Sequence, residues 1–268
     1  VAWEQFKLPM NKKVISTNSK NLPQVKLSKT KEYFKVNGKN FRISFDREIG
    51  SLENFEYEGF NLILIGPEPN FWRAPTDNDL GNGMQNRAKT WKTISDRLIL
   101  QSFTANMSDN RVQLSKVSTD QITGLILETS YNIYGNGLLS IQQKINSINE
   151  SNSELPRFGV KMTLPKDFTN LEWFGRGPHE SYWDRKTSAP IGNYYGDVWG
   201  QTFPYVRPQE TGNKTDIRWL SLENDSVGII IKGNPTFDGS VHQYPYEDLD
   251  YIPNSQRHGK IDIIQKNQ

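Results

Sequence analysis

The stretch Phe71-Trp72-Arg73-Ala74-Pro75-Thr76-Asp77-Asn78-Asp79-Leu80-Gly81 brings two aromatic rings, a guanidinium, two carboxylates and a carboxamide into a few consecutive positions. Groups of these kinds line carbohydrate sites, where aromatic faces stack on sugar C–H groups and planar polar groups read hydroxyls. No strand or helix period runs through them. Pro75 fixes its own φ and pushes Ala74 towards extended backbone, Asn and Asp favour side-chain-to-backbone turns, and Gly81 gives conformational freedom, so a shaped loop is expected. The same residues also suit a buried structural corner in which Arg73 pairs with Asp77 or Asp79. Composition alone leaves both readings open.

Carboxyl pairs are the other chemistry within reach. A retaining glycosidase needs two such groups roughly 5 Å apart, and Asp77 with Asp79 on an extended loop, or Glu180 with Asp184 on a turn, could share a face. His179, His242 and His258 are scattered without HxH or HxxxH spacing, which argues against a metal site. Trp173, Trp183, Trp199 and Trp219 read mainly as core and loop packing, with Trp183 and Trp199 as the candidates to stack on a glycan.

The order of residues is more specific than their types. Arg-Ala-Pro-x-Asp-Asn-Asp-x-Gly at 73–81, preceded by an aromatic, resembles the opening of the C-terminal domain of the large β-galactosidases of glycoside hydrolase family 2. Trp173-Phe174-Gly175-Arg176-Gly177-Pro178-His179-Glu180-Ser181-Tyr182-Trp183-Asp184-Arg185 is similar to a second segment of that domain, and Tyr205-Val206-Arg207-Pro208-Gln209-Glu210-Thr211-Gly212 to a third. The resemblance runs from about Phe34 onward. It implies an all-β fold, a large antiparallel two-sheet supersandwich of the galactose mutarotase-like kind, short of its last strands.

The resemblance also implies a division of labour. In that family both catalytic glutamates and the nearby Mg and Na ions belong to a (β/α)8 barrel N-terminal to this domain, and nothing here reads as alternating strand and helix over about 250 residues. No catalytic residue and no cofactor is therefore expected in this chain. Its loop Arg73, Asp77, Asn78, Asp79, Gly81, Asn82, Gly83, Met84 and Arg87 is expected to border the neighbour's active site, with Gly81 and Gly83 as hinges. His179, Glu180, Trp183, Asp184, Arg185 and Glu210 form a second set, either sugar-contacting or structural. The implied partners are the barrel and other domains of the parent chain, a β-galactoside substrate and, in the intact enzyme, further copies of itself. Two alternatives remain: a stand-alone carbohydrate-binding module, and a mutarotase-like epimerase using His179 with Glu180 or Glu210, or His242 with Glu247.

To position these groups, 268 residues suffice for one large β domain with a flanking piece. Thirty-two Lys and Arg against thirty Asp and Glu, interspersed rather than in blocks, argue against a nucleic-acid or membrane-surface partner. Cysteine is absent, which excludes disulfides. Residues 1–9 are expected to end a preceding immunoglobulin-like β domain, 10–31 to be a linker, and 32–268 to be the truncated supersandwich. Asn37-Gly38 signals a hairpin, and strands are expected over Ser51–Tyr57, Asn61–Ile65, Leu98–Met107, Arg111–Val117, Gly124–Tyr134, Leu138–Ile148, Arg157–Leu164, Leu171–Phe174, Asp216–Leu222, Val227–Lys232 and Thr236–Gln243. Met84–Arg97 is the one helix of any length that the pattern suggests.

Overall fold

Asn37-Gly38 turns the chain where its hairpin signal sits: β2 (Tyr33–Asn37) pairs with β3 (Phe41–Asp46), Asn37 opposite Arg42. The structure is a computed structural model and describes residues 4–8 and 19–253. The chain divides into two compact units. Within the described residues the first takes in 19–72 and 86–165, and the second 4–8, 73–85 and 166–253.

In the first unit β1 (Lys26–Lys29), β2, β3, β4 (Leu52–Tyr57) and β5 (Phe60–Asn61) make one antiparallel sheet in that order. β1 lies inside the stretch read as a linker. β7 (Ile99–Ser108), β8 (Arg111–Asp120), β9 (Leu125–Tyr134) and β10 (Leu139–Ser147) make a second sheet, ordered β10-β9-β8-β7, while β6 (Ile65–Asn70) pairs with β11 (Gly159–Thr163). Strict alternation along β9 buries Leu125, Leu127, Thr129, Tyr131 and Ile133 on one face. The two sheets meet through aromatic rings. Phe34 lies 5.2 Å from Phe103, and Phe45 lies 6.1 Å from Phe103 and 5.0 Å from Tyr131 between centroids.

The expected helix over Met84–Arg97 is broken into α2 (Met84–Arg87), a 3-10 turn at Lys89–Trp91 and α3 (Ile94–Arg97). Tertiary anchoring overrides the 3.6 period here. Trp91 is buried and its indole N–H donates to Ser153 O at 3.2 Å, while the Arg97 guanidinium donates to Thr90 O at 3.1 Å and to Asp120. Each contact fixes a separate turn.

The second unit is built on β12 (Asn170–Arg176), β13 (Ile191–Asp197), β14 (Lys214–Glu223) and β15 (Gly228–Gly239), ordered β13-β12-β14-β15 and antiparallel throughout. β13 lies in a segment where no strand is expected. β15 joins what reads as two strands, with its register shifting between Ile217 and Trp219 of β14. One face of the sheet packs Leu171, Trp173, Ile217, Leu220 and Leu222 inside. Glu4–Leu8 are not a strand; the Gln5 side chain instead donates to Ile191 O and accepts from its N–H, both at 2.7 Å. Residues 1–3, Pro9 and much of the linker, and residues 254–268 with His258 lie outside the described residues. The fold is all-β and antiparallel, with helix confined to short turns.

Candidate functional site

The 73–81 motif in the second unit folds into a capped turn of helix. α1 (Asp77–Gly81) starts at Thr76, whose extended backbone (φ −80°, ψ 172°) leaves its hydroxyl free to accept from the Asp79 N–H at 3.3 Å. The Asp79 carboxylate accepts from the Thr76 N–H at 2.9 Å and its hydroxyl at 2.8 Å, which closes a capping box. Arg73 donates to both Asp79 oxygens, one of them at 3.0 Å, and half-buries the pair. Burial pushes the Asp79 carboxyl up, but the hydrogen bonds from Arg73 and Thr76 outweigh it and hold it below the usual carboxylate range. Of the two pairings the sequence leaves open for Arg73, the structure contains the one with Asp79.

Asp77 is held from a distant part of the chain. Its carboxylate accepts from Arg207 at 2.9 Å and from the Gln209 carboxamide at 3.1 Å, and its N–H donates back to Gln209 at 3.3 Å. The two carboxylates that could have formed an acid/base pair are thus each engaged by cationic or amide partners. Asn78, Gly81 and Asn82 are exposed, and the Asn82 carboxamide accepts from the Met84 N–H at 3.2 Å. Gly83 has φ +79° with nothing within 4 Å of where a Cβ would stand, so backbone conformation and not crowding selects glycine there. Met84 is buried, and Arg87, in the first unit, pairs with Glu154. Phe71 and Trp72 are core residues of the first unit, where Phe71 stacks on Trp91 and Phe158.

The second set of residues centres on Glu180, which is 8% exposed. Its carboxylate accepts from the Gly212 N–H at 2.9 Å, from Arg185 at 2.5 Å, from Thr211 at 3.3 Å and from the phenol of Tyr205. Burial raises this carboxyl, and the Tyr205, Gly212 and Arg185 hydrogen bonds more than reverse it. Behind it Lys214 is 3% exposed, with its ammonium 5.2 Å from the Trp173 ring centre and 3.3 Å from Gly212 O. Burial pushes Lys214 down to about 8 against the pull of Glu180. Glu210 is 2% exposed and accepts from Tyr246, whose phenol oxygen also accepts from the Ala74 N–H at 2.9 Å.

The remaining members of that set lie outside these hubs. His179 is exposed and 3.0 Å from Ser188 Oγ, so its ring does not share a reacting atom with the buried Glu180 carboxylate. Trp183 is 83% exposed with the Lys186 ammonium 4.3 Å from its ring centre, and Asp184 is exposed. His242 stacks at 5.1 Å on Tyr244. Among the described residues no group of three or more His, Asp or Glu is placed to hold a metal ion, and no helix is long and apolar enough to cross a membrane. Sequence reasoning missed the roles of Lys214, Tyr205 and Tyr246; Tyr205 opens the third motif and Lys214 closely follows it, whereas Tyr246 lies far beyond it and carries no signal, because its partners are set by loop closure.

A family model described as "Beta galactosidase small chain" matches residues 37–259. The β-galactosidase of Priestia megaterium (strain DSM 319 / IMG 1521) is 38% identical over 250 residues, covering 92% of this chain and 24% of that protein. The β-galactosidase of Lactobacillus delbrueckii subsp. bulgaricus is 31% identical over 79% of this chain and 21% of its own length. That of Kluyveromyces lactis is 26% identical over 97% of the chain and 26% of its own length. The chain spans about a quarter of the length of these relatives.

Proposed function

Since this chain belongs to the family of the β-galactosidase small chain, we propose that it is the C-terminal, non-catalytic part of a retaining β-galactosidase of glycoside hydrolase family 2. In this reading it buttresses the catalytic barrel, and the segment from Arg73 to Arg87 edges the pocket in which terminal β-galactosides are hydrolysed. The barrel and the other domains of the parent chain are its partners, and the assembled enzyme is a homo-oligomer. The observation that carries the reading is the engagement of the conspicuous carboxylates. Asp79 is closed in by Arg73 and Thr76, the exposed Asp77 is bound by Arg207 and Gln209, and Glu180 by five donors, Arg185, Gly212, Thr211, Tyr205 and Tyr182. A nucleophile and an acid/base need an open pair facing one another, and these groups are spent on holding loops.

The test is a graft. This chain is placed in the Priestia megaterium β-galactosidase in place of the stretch that matches it, and turnover of an aryl β-galactoside is compared with that of the same enzyme lacking the stretch and of this chain alone. The expected outcome is activity in the graft and none in the other two. Hydrolysis by the isolated chain, or an enzyme indifferent to removal of the stretch, would overturn the reading.

A further inference from the structure

The face of the β13-β12-β14-β15 sheet opposite its packed side carries a groove that the proposed role does not use. Register sets its lining in two rows across the strands. Phe174, Trp219 and Lys232 stand abreast in one row, and Tyr195, Glu172, Ser221 and Ile230 in the next. Ser221 is small between larger neighbours, and the dip over it encloses about 490 Å³, within the range of small-ligand sites.

The groups around that dip are poised and unspent. Ser221 is only 9% exposed, lines the groove, and its hydroxyl has no hydrogen-bond partner among the described residues. The same holds for the indole N–H of Trp219, the carboxylates of Glu172 and Glu223 and the ammonium of Lys232, all of which line the groove. These groups face the open groove without a protein partner, so a ligand seated there can take hydrogen bonds that only water now supplies. The two carboxylates accept only, so the ligand must bring O–H or N–H donors. Lys232 and the indole N–H donate only, so it must bring acceptors as well. Trp219 and Ile230 add an apolar wall suited to C–H groups. Two carboxylates beside one ammonium disfavour an anion, and no group of three acidic or histidine side chains is present there to hold a metal.

From this geometry we infer that the sheet face binds a neutral sugar, its hydroxyls on Glu172, Glu223 and Ser221 and one C–H face on the Trp219 indole. The site is separate from the Arg73–Arg87 segment and does not depend on the hydrolase reading, so an inactive graft leaves it standing.

Two-dimensional NMR of the 268-residue chain titrated with lactose and with cellobiose tests it. Expected are saturable shifts at residues of β12, β14 and β15 with a dissociation constant on the order of millimolar, weakened about tenfold in Trp219→Ala. Because Trp219 also packs in the sheet, Glu172→Gln serves as a second variant. Its carboxamide replaces a charged acceptor on an exposed side chain, and it should weaken binding several-fold while leaving the melting temperature unchanged. No shift with either sugar, shifts mapping elsewhere, or binding unchanged in both variants would overturn the inference. So would tighter binding of trilysine, which would mark the groove as a seat for a cationic peptide.

Discussion

Lys214 shows how far a single residue can depart from what its type suggests. Nothing in the sequence separates it from the other lysines, yet the fold buries it on the Trp173 ring beside Glu180. Burial pushes its pKa down to about 8, below the ordinary lysine value of 10.5, so the fold disfavours the charged form. The penalty is fully present below about pH 8 and is relieved as pH rises from there towards 10.5. Against Lys214→Met, which has no such titration, the native chain should therefore gain relative stability across this window, by at most ~1.4 kcal/mol per pH unit. Denaturant midpoints at pH 7 and pH 10 check the sign; a gap that stays constant or widens would show that the ammonium is not desolvated. Glu180 and Glu210 were legible as candidates because they sit in recognisable motifs. Their roles as buried acceptors were not, since the donors Tyr205 and Tyr246 come from other loops.

At the scale of elements, what could be read from the sequence was what is local. Asn37-Gly38 marked its hairpin and the alternation in β7 to β10 marked its strands, because turn chemistry and the two-residue period act within a few positions. β13 was hidden because Ile191-Gly192-Asn193-Tyr194-Tyr195-Gly196-Asp197 has neither a clean alternation nor strong β formers at every second site; pairing with β12 makes it a strand. The helix over Met84–Arg97 failed for the opposite reason, its period being real but its contacts pinning each turn separately. The sequence of α1 reads as a loop, and the reciprocal hydrogen bonds of Thr76 and Asp79 make it helical. Thr76→Ala removes one half of that box and should cost about 1 kcal/mol. Hydrogen exchange of the Asp79 and Leu80 amides should quicken, while that of β12 and β14 stays unchanged. Unaltered exchange at α1 would mean that Arg207 and Gln209 alone hold it.

For the whole molecule, the class was legible and the partition was not. The three motifs gave the family and with it the all-β architecture, whereas the two compact units interleave along the chain and no local pattern announces a discontinuous unit. Each has its own buried centre: Leu114, Leu127 and Ile133 in the first, Trp173, Ile217 and Leu220 in the second. Leu127→Ala should cost about 2–5 kcal/mol and lower amide protection chiefly across β7 to β10, and Leu220→Ala should do so chiefly across β12 to β15. Equal loss of protection everywhere from either change would mean that the molecule opens as one block. Interleaving also has a consequence in time. Gln209 is 132 residues downstream of Asp77, so a ribosome adding about 5–20 residues per second delivers it on the order of ten seconds later. For that interval the newborn Arg73–Gly81 turn must keep its shape with Arg73, Thr76 and Asp79 alone, which gives a five-residue helix good reason to carry its own cap.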